Sequence, residues 1–222
     1  MTAIMCGIGC TRRLPLTRRV HRRHASRVVP APLFTLYTIG HGTRTIEDLV
    51  DTLRSVSIGR LFDVRRYPGS RHNPQFGRDT LATSLPTFGI DYVWRGDELG
   101  GRRHSRSPSR HPALEDPGFR AYADYMDEPA FDEALAHLME DAERRGPIAL
   151  MCAETAWQRC HRRLIADAIV MRGVIVEHLL SPSRREPHQL TRGVRADERQ
   201  RPVYDVGHFE QLSLPMASAR SH

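Results

Sequence analysis

An apolar run ends in Cys152-Ala153-Glu154, and eight residues after Cys152 the chain reads Cys160-His161-Arg162-Arg163. Two thiols, an imidazole, a carboxylate and guanidinium groups are thereby gathered where a strand hands over to a helix. A helix N-terminus lowers the pKa of a nearby thiol and attracts anions. Such a set could act as a nucleophile with its base and an anion holder, or as a metal site. A lone cysteine closing a buried strand is ordinarily a small core residue, so the case rests on the company that Cys152 keeps.

The elements that must position this cluster follow from periodicity. Leu33 to Gly40 reads as a buried strand stopping at Gly40-His41-Gly42, and Thr45-Ile46-Glu47-Asp48 is a capping box opening a helix that Gly59 ends. Arg60 to Val64, Ile90 to Trp94, Ile148 to Cys152 and Val174 to Leu180 are further strands. Helices are predicted over about Asp79 to Phe88, Pro117 to Met126, Pro129 to Arg145 and Cys160 to Arg172. Alternating short strands and helices imply parallel pairing through right-handed crossovers. The expected fold is a single-domain three-layer α/β sandwich over residues 33–190, with a mostly parallel sheet of about five strands. Residues 191–222, rich in Arg, Pro, Ser and Glu, are expected to be a mobile tail, and the long segment Arg95 to Pro117 is expected to bind something or lack order.

In an open parallel sheet, ligands bind beyond the carboxyl ends of the strands. Those ends carry His41, Asp63 with Arg65, Arg95 to Glu98, and Cys152 with Glu154. The unusual polar residues thus fall on one edge, where chance would scatter them over two.

Thr38-Ile39-Gly40-His41, Asp63-Val64-Arg65 followed by Pro68, Ser70 and Phe76, Gly89-Ile90-Asp91-Tyr92, Glu98-Leu99-Gly100-Gly101-Arg102, Tyr122-Ala123-Asp124-Tyr125-Met126, and Cys152-Ala153-Glu154 with Cys160-His161-Arg162 occur in that order. This succession resembles the domain of unknown function 488 family from about Leu33 to Leu180. Gly42 stands where that family more often has a serine. The resemblance implies an α/β fold and a shared site, and it brings no established reaction with it.

Composition narrows the chemistry. The formal charge of +7 is localised: residues 1–32 contain seven arginines and no acidic residue, and removing them from the 33 basic groups leaves 26 against 26 acidic ones. The leader is read as a basic, disordered extension. It lacks the continuous apolar segment of a secretory signal. Every basic residue is arginine, so Schiff-base chemistry on lysine is excluded. Cys6 and Cys10 fall in the leader and only Cys152 and Cys160 in the body, too few for a disulfide scaffold, so a cytoplasmic protein with reduced thiols is expected. No apolar run nears the roughly 18 residues of a membrane span.

Three mechanisms compete. In the first, Cys152 is a nucleophile, His41 or His161 its base, Glu154 and Cys160 complete the reactive cluster, and Asp63, Arg65, Arg102 and Arg162 hold an anionic, phosphate-bearing substrate, with a nucleotide or nucleic acid among the candidates. That layout resembles rhodanese-like and cysteine-phosphatase loops, but the sixth residue after Cys152 is Gln158 and the arginine follows at Arg159. In the second, no other cofactor being expected, Cys152, Cys160 and His161, with His41 as a further ligand, bind zinc, although cysteines eight apart do not match common zinc knuckles. In the third, Arg102, Arg103, Arg106 and Arg110, with Tyr92, Trp94 and Trp157 as stacking surfaces, bind a nucleotide or nucleic acid without catalysis.

Overall fold

The computed structural model describes residues 34–69 and 72–206. The leader with Cys6 and Cys10, Ser70, and the last part of the expected tail lie outside them. The elements over 34–181 are β1 (Thr35–Gly40), α1 (Ile46–Arg54), β2 (Arg60–Asp63), α2 (Arg78–Ser84), β3 (Asp91–Trp94), α3 (Gly96–Leu99), α4 (Pro117–Met126), α5 (Pro129–Arg145), β4 (Ile148–Cys152), α6 (Arg162–Met171) and β5 (Ile175–Ser181), and all fall where periodicity predicts except the short α3, which lies in a segment read as irregular. The capping box works as read, Thr45 accepting the backbone N–H of Asp48 at 3.1 Å. The helix expected up to Phe88 tightens into a 3-10 turn from Leu85, with Gly89 at φ 78° closing it.

The sheet order is β3-β2-β4-β1-β5-β6, with β6 (Arg184–Pro187) added antiparallel to β5. The sheet is therefore one strand wider than the five expected. Arg184, Arg185 and Glu186 hide β6 from a hydrophobicity reading, and such charges suit an edge strand. Strand β4 is buried throughout and apolar, as a central parallel strand with both faces covered must be. Its Ile148 and Leu150 join Leu36 and Phe62 against α4, α5 and α6, where Tyr122, Phe131, Leu135, Leu164 and Ile165 pack. On the other face Ala149 and Met151 join Ile39 and Leu61 against Leu49, Val50 and Leu53 of α1 and Leu81 of α2.

Residues 191–206, read from composition as tail, form instead a small antiparallel pair, β7 (Val194–Ala196) and β8 (Pro202–Tyr204). Side-chain hydrogen bonds hold this pair to α6, and hydropathy does not reveal them. Asp167 is completely buried and accepts from Tyr204 Oη at 2.8 Å, Thr191 Oγ1 at 2.6 Å, the Thr191 backbone N–H at 2.9 Å and His188 Nε2 at 2.9 Å. The segment before α4 is likewise pinned: Asp124 accepts the Arg106 N–H at 3.0 Å and the Ser109 hydroxyl at 2.6 Å. Its length therefore reflects docking onto α4.

Removing the shared acceptor should be costly, because four donors would lose one buried partner. Asp167→Ala is expected to lose about 3 kcal/mol or more of stability in urea unfolding and to raise amide exchange across β7 and β8. An unchanged midpoint would show that the carboxylate does not anchor this segment.

Candidate active site

The parallel register sets the strand ends level. Gly40 lies opposite Cys152 across β1 and β4, and Asp63 opposite both Met151 and Trp94. After Cys152 the chain runs to the α6 face, whereas β1 and β2 on either side send theirs to the α1 and α2 face. A crevice opens where neighbouring strands part in this way, and here it opens at Cys152. The rim is tied by the His41 N–H to the Cys152 carbonyl and the Gly42 N–H to the Ala153 carbonyl, both at 2.9 Å. Gly42 has φ 53°, and a Cβ there would meet Thr155 Oγ1 at 2.3 Å, so this conformation admits glycine and resists the family's serine.

Arg65 is buried at the end of β2 and every bond it makes is internal. Nε and Nη2 clasp the Asp63 carboxylate at 2.8 and 2.5 Å, Nη2 also donates to the Phe76 carbonyl at 2.8 Å, and Nη1 reaches His41 Nε2 at 3.1 Å. Burial opposes the guanidinium charge, but the hydrogen bonds and charge of Asp63 hold its pKa above the ordinary value. Tyr92 Oη donates to the same carboxylate at 2.7 Å, and burial with the charge of Asp63 pushes that phenol upward. His41 Nδ1 donates to the Gly42 carbonyl at 2.9 Å, which leaves Nε2 to accept from Arg65. Burial first, then the Arg65 charge, lower the His41 pKa to about 4. His41 is a neutral spacer, and its one lone pair is taken.

The thiols face a different histidine. His161 Nε2 lies 3.1 Å from the Val64 carbonyl, which can only accept, so Nε2 carries the proton and Nδ1 offers its lone pair. That Nδ1 is 3.8 Å from Cys152 Sγ and 3.7 Å from Cys160 Sγ. The two sulfurs lie within 4.8 Å of each other and titrate as a pair. The neighbouring Cys152 thiol lowers the Cys160 pKa against the effect of burial, helped by His161 and Arg162, while the neighbouring Cys160 and burial raise that of Cys152.

Arg162 sits beneath this pair, 1% exposed. It donates to the Glu154 carbonyl at 2.5 Å and to Thr38 Oγ1 at 3.0 Å. From Thr38 the bonds continue to His178 Nδ1 at 2.7 Å, from His178 Nε2 to His188 Nδ1 at 2.9 Å, and from His188 to Asp167. Burial, then His188 and Arg162, push the His178 pKa down to about 3. With neutral rings the donors run one way, from guanidinium to carboxylate. Trp157 covers the chain, stacked on His178 at 4.1 Å.

Cys152 opens onto a cavity of about 610 Å³ lined by Arg65, Arg66, Arg102, Arg159, His161 and Tyr122, among others. The acid on its wall, Asp116, is engaged as the N-cap of α4, accepting the Phe119 N–H at 2.9 Å. The lining thus carries four arginines against one acid, with Arg65 paired to Asp63 and Arg66 4.0 Å from Asp97. Cys152, Cys160 and His161 also offer three metal-ligand atoms within 4.8 Å of one another, close to the spacing of a tetrahedral Cys₂His set, with the Val64 carbonyl orienting the imidazole.

The structure thus brings together Cys152, Cys160, His161, Arg65 and Arg102 of the residues expected from sequence. It sets others apart. His41 contacts Arg65 and no thiol; the exposed Glu154 side chain accepts its own turn's Ala156 N–H at 3.1 Å; Asp63 and Arg162 work from beneath the cavity wall. Of the basic loop, Arg106 pairs with Glu128, Arg110 with Asp127 and Asp197, and Arg103 lies over the Tyr125 ring at 3.6 Å. The expected stacking surfaces are also engaged: Tyr92 on Asp63, Trp94 under Arg78 at 4.1 Å, and Trp157 on His178. Arg66 and Arg159 went unselected, and the offset arginine after Gln158 was the signal for the second. His178, inside an apolar strand, was the sequence trace of the buried chain.

Fold and site define an α/β protein with a thiol pair at the switch point of a parallel sheet, in an arginine-lined cavity. The chain belongs to the family of the domain of unknown function DUF488, whose model matches residues 45–169, more than half of it and inclusive of both thiols. No curated protein and no solved structure matches it.

Because the His41 and His178 pKa values fall below the 6.5 of an unfolded histidine, the unfolded chain binds more protons between about pH 4 and 6.5. Stability should be present above that window and decline as pH drops through it, by on the order of 1.4 kcal/mol per pH unit and group. Ring-carbon NMR shifts of both residues are expected to stay at neutral-ring values down to about pH 5. Protonation of either ring near pH 6.5 would contradict the buried acceptor roles.

Proposed function

We propose that this protein is an enzyme that uses Cys152 as a nucleophile on a small anionic substrate. One observation carries the reading: the thiol on the cavity wall faces the free lone pair of His161, and the wall around it holds four arginines. His161 takes the thiol proton, the buried Arg162 charge favours the thiolate, and Arg66, Arg102 and Arg159 meet the substrate's negative groups. Arg65, locked on Asp63, contributes a fixed charge more than a mobile hand. A cytoplasmic setting, where thiols stay reduced, goes with this chemistry. Among the described residues no helix is long and apolar enough to cross a membrane.

A second reading has its own support in the three clustered ligand atoms, which would suit zinc with its fourth position open to the cavity. Metal analysis of the purified protein separates the two. About one zinc per chain would replace the free-nucleophile reading.

Two alkylating reagents test the first reading. Iodoacetate, being anionic, ordinarily reacts more slowly with thiolates than neutral iodoacetamide. At Cys152 the order is expected to reverse, with the preference shrinking as salt rises and falling severalfold in Arg102→Ala/Arg159→Ala. An ordinary preference for iodoacetamide, untouched by either change, would overturn the anionic-substrate reading.

A further inference from the structure

The two thiols are unequal in a way that a simple nucleophile does not require. Cys152 is on the cavity wall, whereas Cys160 is absent from the lining, 4% exposed and packed in the core beside Leu164. Yet the sulfurs lie within 4.8 Å of each other, and both face His161 Nδ1. A sulfur forming a covalent adduct in the cavity would therefore have a second sulfur directly behind it, out of the substrate's reach. Thiol–disulfide exchange requires that division, between a thiol that attacks and one that resolves.

From this arrangement we infer that Cys152 and Cys160 form a dithiol–disulfide couple that reduces low-molecular-weight disulfides bearing carboxylates. The inference rests on the nucleophilic reading of Cys152 and names its substrate class. In the first step Cys152 Sγ attacks one sulfur of the substrate R–S–S–R. A Cys152–S–S–R bond forms, the substrate's S–S bond breaks, and R–S⁻ leaves and takes up a proton from the site. In the second, the Cys160 thiolate attacks Cys152 Sγ, expelling the second R–S⁻, which is protonated from water. The couple gives up two electrons and one proton in forming the internal disulfide, water supplies the second proton, and the substrate gains them as two thiols. Closing the sulfurs to about 2.05 Å asks for side-chain rotation within the turn from Cys152 to Cys160. Carboxylates on R are what the arginine lining can hold, and Gly101, whose absent Cβ would stand 3.3 Å from His161 Nδ1, keeps the approach clear.

Oxidised glutathione serves as the probe, with the full chain carrying Cys6→Ser and Cys10→Ser so that the pair alone reacts. Reduced protein is mixed with one equivalent under nitrogen, quenched in acid, alkylated and mapped by mass spectrometry. The expected result is release of both halves of the probe and a Cys152–Cys160 disulfide. Cys160→Ser should stop at glutathionylated Cys152, and Cys152→Ser should leave Cys160 free. The neutral 2-hydroxyethyl disulfide should react about tenfold more slowly or worse. A stable mixed disulfide on a protein with both thiols, adduct formation at Cys160, or equal rates with the neutral probe would overturn the inference. Rapid alkylation of Cys152 without an internal disulfide would remove this couple and leave the nucleophile standing. Failure of both would remove the nucleophile as well.

Discussion

Two buried guanidinium groups govern the carboxyl edge of this sheet. A guanidinium taken out of water must have its N–H groups satisfied and its charge answered, or the fold loses several kcal/mol. Arg65 meets this requirement with Asp63, the Phe76 carbonyl and a histidine kept neutral to serve as acceptor. Arg162 meets it in part, with carbonyls of the Cys152 loop and with Thr38, behind which two imidazoles lead to Asp167, while its buried Nε has no hydrogen-bond partner among the described residues. Much of the polar composition at the strand ends is the consequence. Asp63, His41 and Thr38 are there because arginines are buried beside them.

The two arrangements differ in how charge is balanced. Arg65 is clasped directly by a carboxylate, so it presents a firm positive wall and asks nothing of the cavity. Arg162 bonds no carboxylate directly; its acid lies at the end of a chain of neutral groups. The thiol pair above it is thus the natural place for negative charge. A buried cation, a dithiol and an imidazole with one free lone pair form a single electrostatic unit. In the proposed reaction the cavity arginines select what reaches it.

The fold was legible because the alternation of short apolar strands with capped helices leaves few topologies, and the strand-end rule then pointed to the candidate site. What could not be read was the partition of roles. Sequence placed His41 and His161 on the same edge, yet a carbonyl at Val64 and a guanidinium at Arg65, neither implied by spacing, decide which ring faces the thiols. Glu154 looked catalytic because it stands two residues from Cys152, but the turn directs its side chain back to its own backbone. Residues 191–206 were missed because Asp167, Thr191 and Tyr204 act through single hydrogen bonds across long separations, which no periodicity records. Arginines drawn as one basic loop proved to be divided between the cavity and internal acids, since a tally of charges carries no information about partners.

The central claim is that the Cys152–Cys160–His161 unit holds a thiolate at neutral pH. The pH dependence of Cys152 carbamidomethylation, followed by peptide mapping on the full chain, tests it most directly. Because the two thiols titrate as one pair, Cys152 reacts through the first ionisation of that pair, and the account predicts a midpoint below the ordinary thiol value of about 8.5, moving upward in His161→Gln. A midpoint at or above about 8.5 in the unaltered protein, unmoved by His161→Gln, would contradict it.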